Sequence, residues 1–383
     1  MRKIRILICH NTYQQKGGED TVVKAEKRLL EDNGHEVQLY LVSNDQINNW
    51  KDKLKAGLNV SYSVKEKFKL KTFLQQNPVD IVHFHNTFPL LTPSVYEACN
   101  ELGIPCVQTL HNYRLLCASA LLLRNGNLCE KCVVGSPYHA VLHQCYRSSR
   151  VQSFASARMI SVHRRENTWN NKVDRFIALT QFAKNKFIEA GFESKKISVK
   201  PNFSPNILFN KTPSRKPYVL YVGRLSKEKG VEVLVESFNA LSIPLKIVGE
   251  GDLASQLKAQ ANNNIEFLGQ LASDKVKVMM ENAQFLVFPS QCYEGFPLTI
   301  VESFASKLPV VAYNLGAMAE IIESGKNGYL VNSTDEFKRM IKRLFDDQAL
   351  CDDLRENAFQ DYLHKYSARK NYQQLYSIYH ALL

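Results

Sequence analysis

Twelve short apolar runs, each set beside a stretch of helical periodicity, restrict this chain to a parallel α/β architecture. In the first half they are Ile4 to Cys9, Glu36 to Val42, Val79 to Phe84, Pro105 to Leu110, Phe176 to Leu179 and Ile197 to Lys200. In the second half they are Tyr218 to Val222, Leu245 to Val248, Ile265 to Leu268, Phe285 to Phe288, Val310 to Tyr313 and Gly328 to Val331. Strand and helix alternating at this spacing build βαβ units. A chain of 383 residues is too long for one ordinary core and fits two domains. The stretch Pro201 to Pro217 holds four prolines and no period, so the boundary is expected there. The expected division is 1–200, 201–361 and a tail, 362–383, whose aromatic and Leu residues at helical spacing suit a helix packing back on the first domain. Ligands of open α/β sheets lie beyond the carboxyl ends of strands, so two facing sheets would place a site in the cleft between them.

Hydrophobic content of 45% and charged content of 22% are those of a globular protein, and no run reaches the ~18–20 apolar residues of a membrane span. Met1-Arg2-Lys3 precedes an apolar run that Arg5 interrupts, so no signal peptide and a cytoplasmic location are expected. The net charge of +12 is uneven: residues 1–200 hold 29 Lys and Arg against 17 Asp and Glu, and residues 201–383 hold 20 of each. The first half is therefore expected to meet something anionic, be it nucleic acid, an anionic membrane surface or a phosphorylated acceptor. A solvated basic face is the plainer alternative.

The segment Glu294-Gly295-Phe296-Pro297-Leu298-Thr299-Ile300-Val301-Glu302 follows the buried run Ala283 to Pro289. Pro297 suits the first turn of a helix that Leu308-Pro309 ends, which puts Glu294 on the loop and Glu302 inside the helix. The free N–H groups and positive dipole of that turn would face an anion, with two carboxylates as acceptors for sugar hydroxyls. Were all eight steps helical, the two Cα atoms would lie about 12 Å apart along the axis. Retaining glycosidases hold their carboxyl groups ~5–5.5 Å apart, so a binding role fits better than a hydrolytic pair.

Gly223-Arg224-Leu225-Ser226-Lys227-Glu228-Lys229-Gly230 after a strand, then Val248-Gly249-Glu250-Gly251, then Glu294 to Glu302, resemble the retaining GT-B enzymes of glycosyltransferase family four, of the bacterial polysaccharide-biosynthesis type. The order and approximate spacing of these motifs match over nearly the whole chain. The resemblance implies two Rossmann-like doubly wound domains, the first binding the acceptor and the second a nucleotide sugar such as a UDP-sugar. It implies a hexosyltransferase acting in surface polysaccharide or lipopolysaccharide biosynthesis, on a glycan or a polyprenyl-diphosphate-linked glycan. Arg224 and Lys229 match the basic pair on the donor diphosphate, Glu302 the acid on the ribose, and Glu294 the acid on the donor sugar. Gly223, Gly249 and the backbone of Gly295, Phe296, Pro297, Leu298 and Thr299 would line the donor. Gly17-Gly18-Glu19 matches the family's glycine-rich loop, and His111 of His111-Asn112-Tyr113-Arg114 matches the histidine near the donor sugar. No covalent nucleophile is assigned, and the reaction implied is same-face displacement. No Asp-x-Asp metal motif stands where a GT-A enzyme needs one, so no catalytic cofactor is expected.

Three features lie outside those motifs. His83 and His85 end the third run and alternate to the same face, as site residues or as satisfied polar groups. Cys117, Cys129, Cys132 and Cys145 fall in an insertion, 117–145, where a Cys-x2-Cys knuckle between two outer cysteines suits a structural zinc, with His139 and His143 as substitute ligands. Reduced thiols are the alternative. Between Trp50 and Lys71 seven lysines and two acids interleave with apolar residues, a pattern suited to peripheral contact with the inner face of a membrane or to lysine stems over a core. Two other functions are weighed: a nucleotide-sugar epimerase of the same architecture, needing acid and base residues around the sugar rather than an acceptor groove, and a non-enzymatic basic nucleic-acid binder, which no motif or aromatic platform supports and which would show a steep salt dependence, so no nucleic-acid partner is expected.

Overall fold

The computed structural model describes residues 2–14, 17–205 and 215–383. Much of the expected linker, residues 206–214, lies outside the described residues. The chain divides into two compact units: residues 1–124, 129–202 and 371–383 form the first, and residues 125–128 and 203–370 the second.

The strands are β1 (Arg5–Thr12), β2 (Glu36–Ser43), β3 (Ile81–Asn86), β4 (Cys106–Leu110), β5 (Leu123–Arg124), β6 (Asn127–Leu128), β7 (Arg175–Ala178), β8 (Ile197–Val199), β9 (Val219–Val222), β10 (Leu245–Val248), β11 (Ile265–Gly269), β12 (Leu286–Phe288), β13 (Val310–Tyr313) and β14 (Gly328–Val331). All twelve expected strands form, and β5 and β6 are two-residue additions inside the cysteine-rich insertion. The first sheet runs β2-β1-β3-β4-β7-β8 and the second β11-β10-β9-β12-β13-β14, with parallel pairing throughout both. Each order reverses direction next to its first strand, between β1 and β3 in one sheet and between β9 and β12 in the other. Doubly wound sheets bind ligands at such switch points.

Helices cover both faces, which is why the strands read as continuous apolar runs rather than alternating ones. In the second unit Val219, Tyr221, Ile247 and Val287 enter one core, while Leu220, Val248, Leu286 and Phe288 enter another. That division follows the two-residue period of side chains along a strand. In the first unit the helix Gly18–Asp32 buries Val22, Val23, Leu29, Leu30 and, among them, the charged Glu26.

The tail expected as one helix over 362–383 is two pieces. Tyr362–Tyr366 is a π-helical turn whose Tyr362 and Tyr366 rings belong to the second unit's core. Ser367 is extended and breaks the helix, and Ala368–His380 follows. Residues 371–383 belong to the first unit, where the Tyr372 hydroxyl lies 2.9 Å from His35 Nε2 and the Tyr379 hydroxyl 2.7 Å from His83 Nδ1.

Candidate active site

In the second unit the loops leaving the carboxyl ends of β9 to β12 are stitched together by backbone. Gly223 N donates to Val248 O at 3.0 Å, Leu225 N to Glu250 O at 2.9 Å, Gly249 N to Gly269 O at 2.8 Å and Gln291 N to Glu228 O at 2.9 Å. Two glycines are required by that closeness. A Cβ at Gly249 (φ 141°) would stand 1.9 Å from Gly223 O, and one at Gly230 (φ 68°) 2.0 Å from Pro289 O. The result is a rigid rim of main chain at the switch point.

Side chains on the rim fall into two sets. Lys229 Nζ lies 2.6 Å from Glu294 Oε1, which also accepts from Ser290 Oγ at 2.6 Å. Burial alone would lower the Lys229 ammonium, and the Glu294 carboxylate overrides it, so the lysine is held above its usual range and stays charged. The structure thus joins two residues that the sequence had matched to different parts of a donor. Arg224 is exposed and its guanidinium has no partner among the described residues. Glu302 sits inside the helix Leu298–Ala305, which starts directly after Pro297 at the cap position, one residue later than expected. Burial raises the Glu302 carboxyl, and no donor among the described residues offsets it. The Phe296 ring rests 5.9 Å from that of Tyr366.

In the first unit Gly17 caps the helix Gly18–Asp32, and its N–H donates to Asp20 Oδ2 at 2.8 Å. A Cβ there would meet nothing within 4 Å among the described residues and φ is −124°, so neither their packing nor the backbone explains the glycine. Asn112 Nδ2 donates to Glu19 Oε1 at 2.6 Å; burial nonetheless pushes the Glu19 carboxyl up to about 7, against the hydrogen bonds from Asn112 and Tyr13. His111 Nε2 lies 2.9 Å from His85 Nδ1, and burial holds His111 well below the usual histidine range. His83 and His85 share a face as expected, their rings 4.3 Å apart, and both nitrogens of His83 are satisfied, by Tyr379 and by Thr109 Oγ1 at 2.7 Å.

Comparison with known proteins gives this geometry a context. Residues 16–203 match the family model described as Glycosyltransferase Family 4, and residues 205–361 match Glycosyl transferases group 1. The structure of Anabaena HepE in complex with UDP and glucose superposes with a TM-score of 0.70 at 18% identity, over 98% of this chain and 100% of its own. This protein is a GT-B glycosyltransferase. An uncharacterized glycosyltransferase of Methanocaldococcus jannaschii is 25% identical over 86% of the enzyme and 83% of its own length. The alpha-D-kanosaminyltransferase of Streptomyces kanamyceticus is 25% identical over 74% of the enzyme and 72% of its own length.

The glycosyltransferase carries two further features away from the strand ends. Cys117, Cys129, Cys132 and Cys145 are free thiols gathered in the first unit. Burial, then the three other cysteines, push the Cys132 thiol up to about 12. As the side chains stand, the quartet is more widely spaced than Glu26, His83 and His85, the group among the described residues whose ligand atoms all lie within 4.8 Å of one another. Of the substitute ligands, His143 Nε2 is taken by Arg124 Nη1 at 2.8 Å. The basic stretch folds as two helices, Trp50–Asn59 and Val64–Gln76, because Val60–Ser63 breaks the first and Ser63 caps the second. Trp50, Leu54 and Leu58 are 69%, 53% and 65% exposed, and Val64 and Phe68 71% and 69%. No helix among the described residues is long and apolar enough to cross a membrane.

Glu26 and Lys200 escaped sequence reasoning as site residues, and Glu19 was read only as part of the glycine-rich loop. Glu26 had a signal, since it shares the spacing of Val22, Val23, Leu29 and Leu30 on one helix face.

Proposed function

We propose that the enzyme transfers a sugar, with retention of anomeric configuration, from a nucleoside-diphosphate sugar to a lipid-linked glycan in surface polysaccharide biosynthesis. Glu302 carries this reading: a carboxyl raised by burial, with no donor of its own, at the switch-point helix. A pair of ribose hydroxyls supplies the hydrogen bonds such a group lacks. Arg224, free at the rim, and Lys229 take the diphosphate and stabilise it as it leaves. The bond from the anomeric carbon to the phosphate oxygen breaks while the acceptor oxygen bonds the same face of that carbon, and the departing phosphate oxygen takes the acceptor's proton. Glu294, tied to Lys229 before the donor binds, turns its second oxygen to sugar hydroxyls. Gly17 and Gly18 admit a ligand close to main chain, which accounts for a glycine that packing does not require.

The apolar residues Trp50, Leu54 and Leu58 recur every fourth position among Lys51, Lys53 and Lys55, the make-up of a helix that lies in an anionic lipid surface. That face suits a lipid-linked acceptor on the inner leaflet. The four cysteines hold a structural zinc once their thiols ionise and close in; metal analysis of fresh protein should give about one equivalent, and none would rule it out.

The function is tested by following nucleoside diphosphate release. Release that requires a glycan or lipid-linked acceptor, with the product retaining the donor's anomeric configuration, is expected. Conversion of the donor sugar without an acceptor would instead indicate an epimerase.

A further inference from the structure

We propose that Glu26 and His85 are positioning residues that fix the tautomer of His111, leaving its Nδ1 bare as a hydrogen-bond acceptor. The chain of contacts lies wholly within the first unit and starts from a buried ion pair. Lys200 Nζ is 2.7 Å from Glu26 Oε1 and 3.2 Å from Asn371 Oδ1, with both charged side chains 0% exposed. Burial alone would raise the Glu26 carboxyl; Lys200 first, and then the contact with His85, override it and hold it well below the usual range, so Glu26 is an anion.

The second carboxylate oxygen decides the rest. Glu26 Oε2 lies 3.3 Å from His85 Nε2 and 3.9 Å from His83 Nδ1, but His83 Nδ1 already meets the Tyr379 hydroxyl. Oε2 and His85 Nε2 are both buried with no aligned hydrogen-bond partner, so what they face is each other. A lone pair on Nε2 would be driven against an anion, whereas a proton there is attracted. Lys200 already balances the Glu26 charge, so a single proton on His85, placed on Nε2, meets the carboxylate and leaves a lone pair on Nδ1. His111 Nε2, 2.9 Å from that lone pair, must donate. Burial keeps His111 neutral, so its one proton is spent on Nε2 and Nδ1 is bare.

The neighbouring groups agree with this assignment. His10 sets its ring edge-on to His85 at 6.4 Å and directs Nε2 to Asp20 Oδ1 at 2.9 Å, so it adds no proton to the chain. A metal ion on Glu26, His83 and His85 would have to sit beside the Lys200 ammonium, and His83 has both nitrogens engaged. Under the sugar-transfer reading, on which this last step alone rests, a neutral acceptor at His111 receives a hydrogen bond from a donor-sugar hydroxyl and rejects a carboxylate.

Long-range 1H–15N spectra of the full-length enzyme labelled with 15N-histidine test the tautomer without any substrate. His111, assigned through the His111→Gln variant, should show a protonated Nε2 and a bare Nδ1 between pH 6 and 8, and His85 the same pattern. A protonated Nδ1 on His111, an imidazolium at His85, or a metal at this trio in the purified enzyme would overturn the proposal. Kinetics give a second arm. His85→Leu removes the acceptor and should lower kcat by roughly 10–100-fold, the range for losing an orienting partner, with the donor KM changed by less than about threefold. His85→Asn restores an oxygen near the position of Nδ1 and should recover much of the loss. Equal losses in two folded variants would contradict the relay. Failure of the sugar-transfer reading would leave the spectra unaffected, so the two failures are distinguishable.

Discussion

Glu19 shows how a single buried group becomes a pH-dependent term. Its folded carboxyl titrates at about 7, above the ordinary 4.5, because burial disfavours the charge more than Asn112 and Tyr13 favour it. The folded state then holds its proton more tightly than the unfolded chain. The benefit is full below the unfolded value and is lost as pH rises through about 7. Glu19→Gln keeps an acceptor for Asn112 and carries no charge. It should be more stable than the wild type at pH 8 by about 3 kcal/mol and within about 0.5 kcal/mol of it at pH 4.5. Denaturant melts at the two pH values check this, and an equal gain at both would contradict it. Candidates such as Glu302, Arg224 and Lys229 could be named from the sequence because they sit in contiguous motifs. The cluster of Glu26, His85, His111 and Lys200 could not, because His85 near the end of β3, His111 after β4 and Lys200 after β8 meet only at one end of the folded sheet, under the helix that carries Glu26.

The elements were readable because parallel strands buried on both faces leave continuous apolar runs. Boundaries moved where hydrogen bonding outlasts hydrophobicity: β1 continues through His10, Asn11 and Thr12, which pair with β2 although the apolar run has ended at Cys9. The tail misled for the opposite reason, since helical spacing carries through 362–383 while extended Ser367 breaks the backbone. The rim depends on main chain, and Gly230 is one of its two tight points, joining the turn Lys227–Lys229 to the helix Val231–Leu241 under Pro289 O. Gly230→Ala faces both a positive φ and backbone contact, so it should cost about 2–4 kcal/mol in stability. Because it moves Lys229, nucleotide affinity should fall too; a variant with wild-type melting and affinity would contradict this account of the rim.

At the scale of the molecule the charge is divided as the proposed functions are. The basic excess belongs to residues 1–200, and the motifs proposed to bind the donor to the balanced remainder. Binding to vesicles with about 30% anionic lipid should weaken between 0.05 and 0.5 M salt, because a headgroup surface attracts each nearby lysine by about 1 kcal/mol and salt screens it. Replacing Trp50, Leu54 and Leu58 by Ser should abolish that binding while leaving the fold in place, since all three are exposed. Undiminished binding by the triple variant would move the membrane face elsewhere.

The most direct measurement of the central claim is thermal stabilisation by a panel of nucleoside diphosphates and their sugars, run on the wild type and on Glu302→Ala. One nucleotide series should raise the wild-type melting temperature by several degrees, as a ligand at about 100 times its Kd contributes about 2.7 kcal/mol. Glu302→Ala, folded, should lose most of that rise. A wild type that no nucleoside diphosphate or nucleotide sugar stabilises, or an equal rise in Glu302→Ala, would contradict the assignment of this unit to the donor.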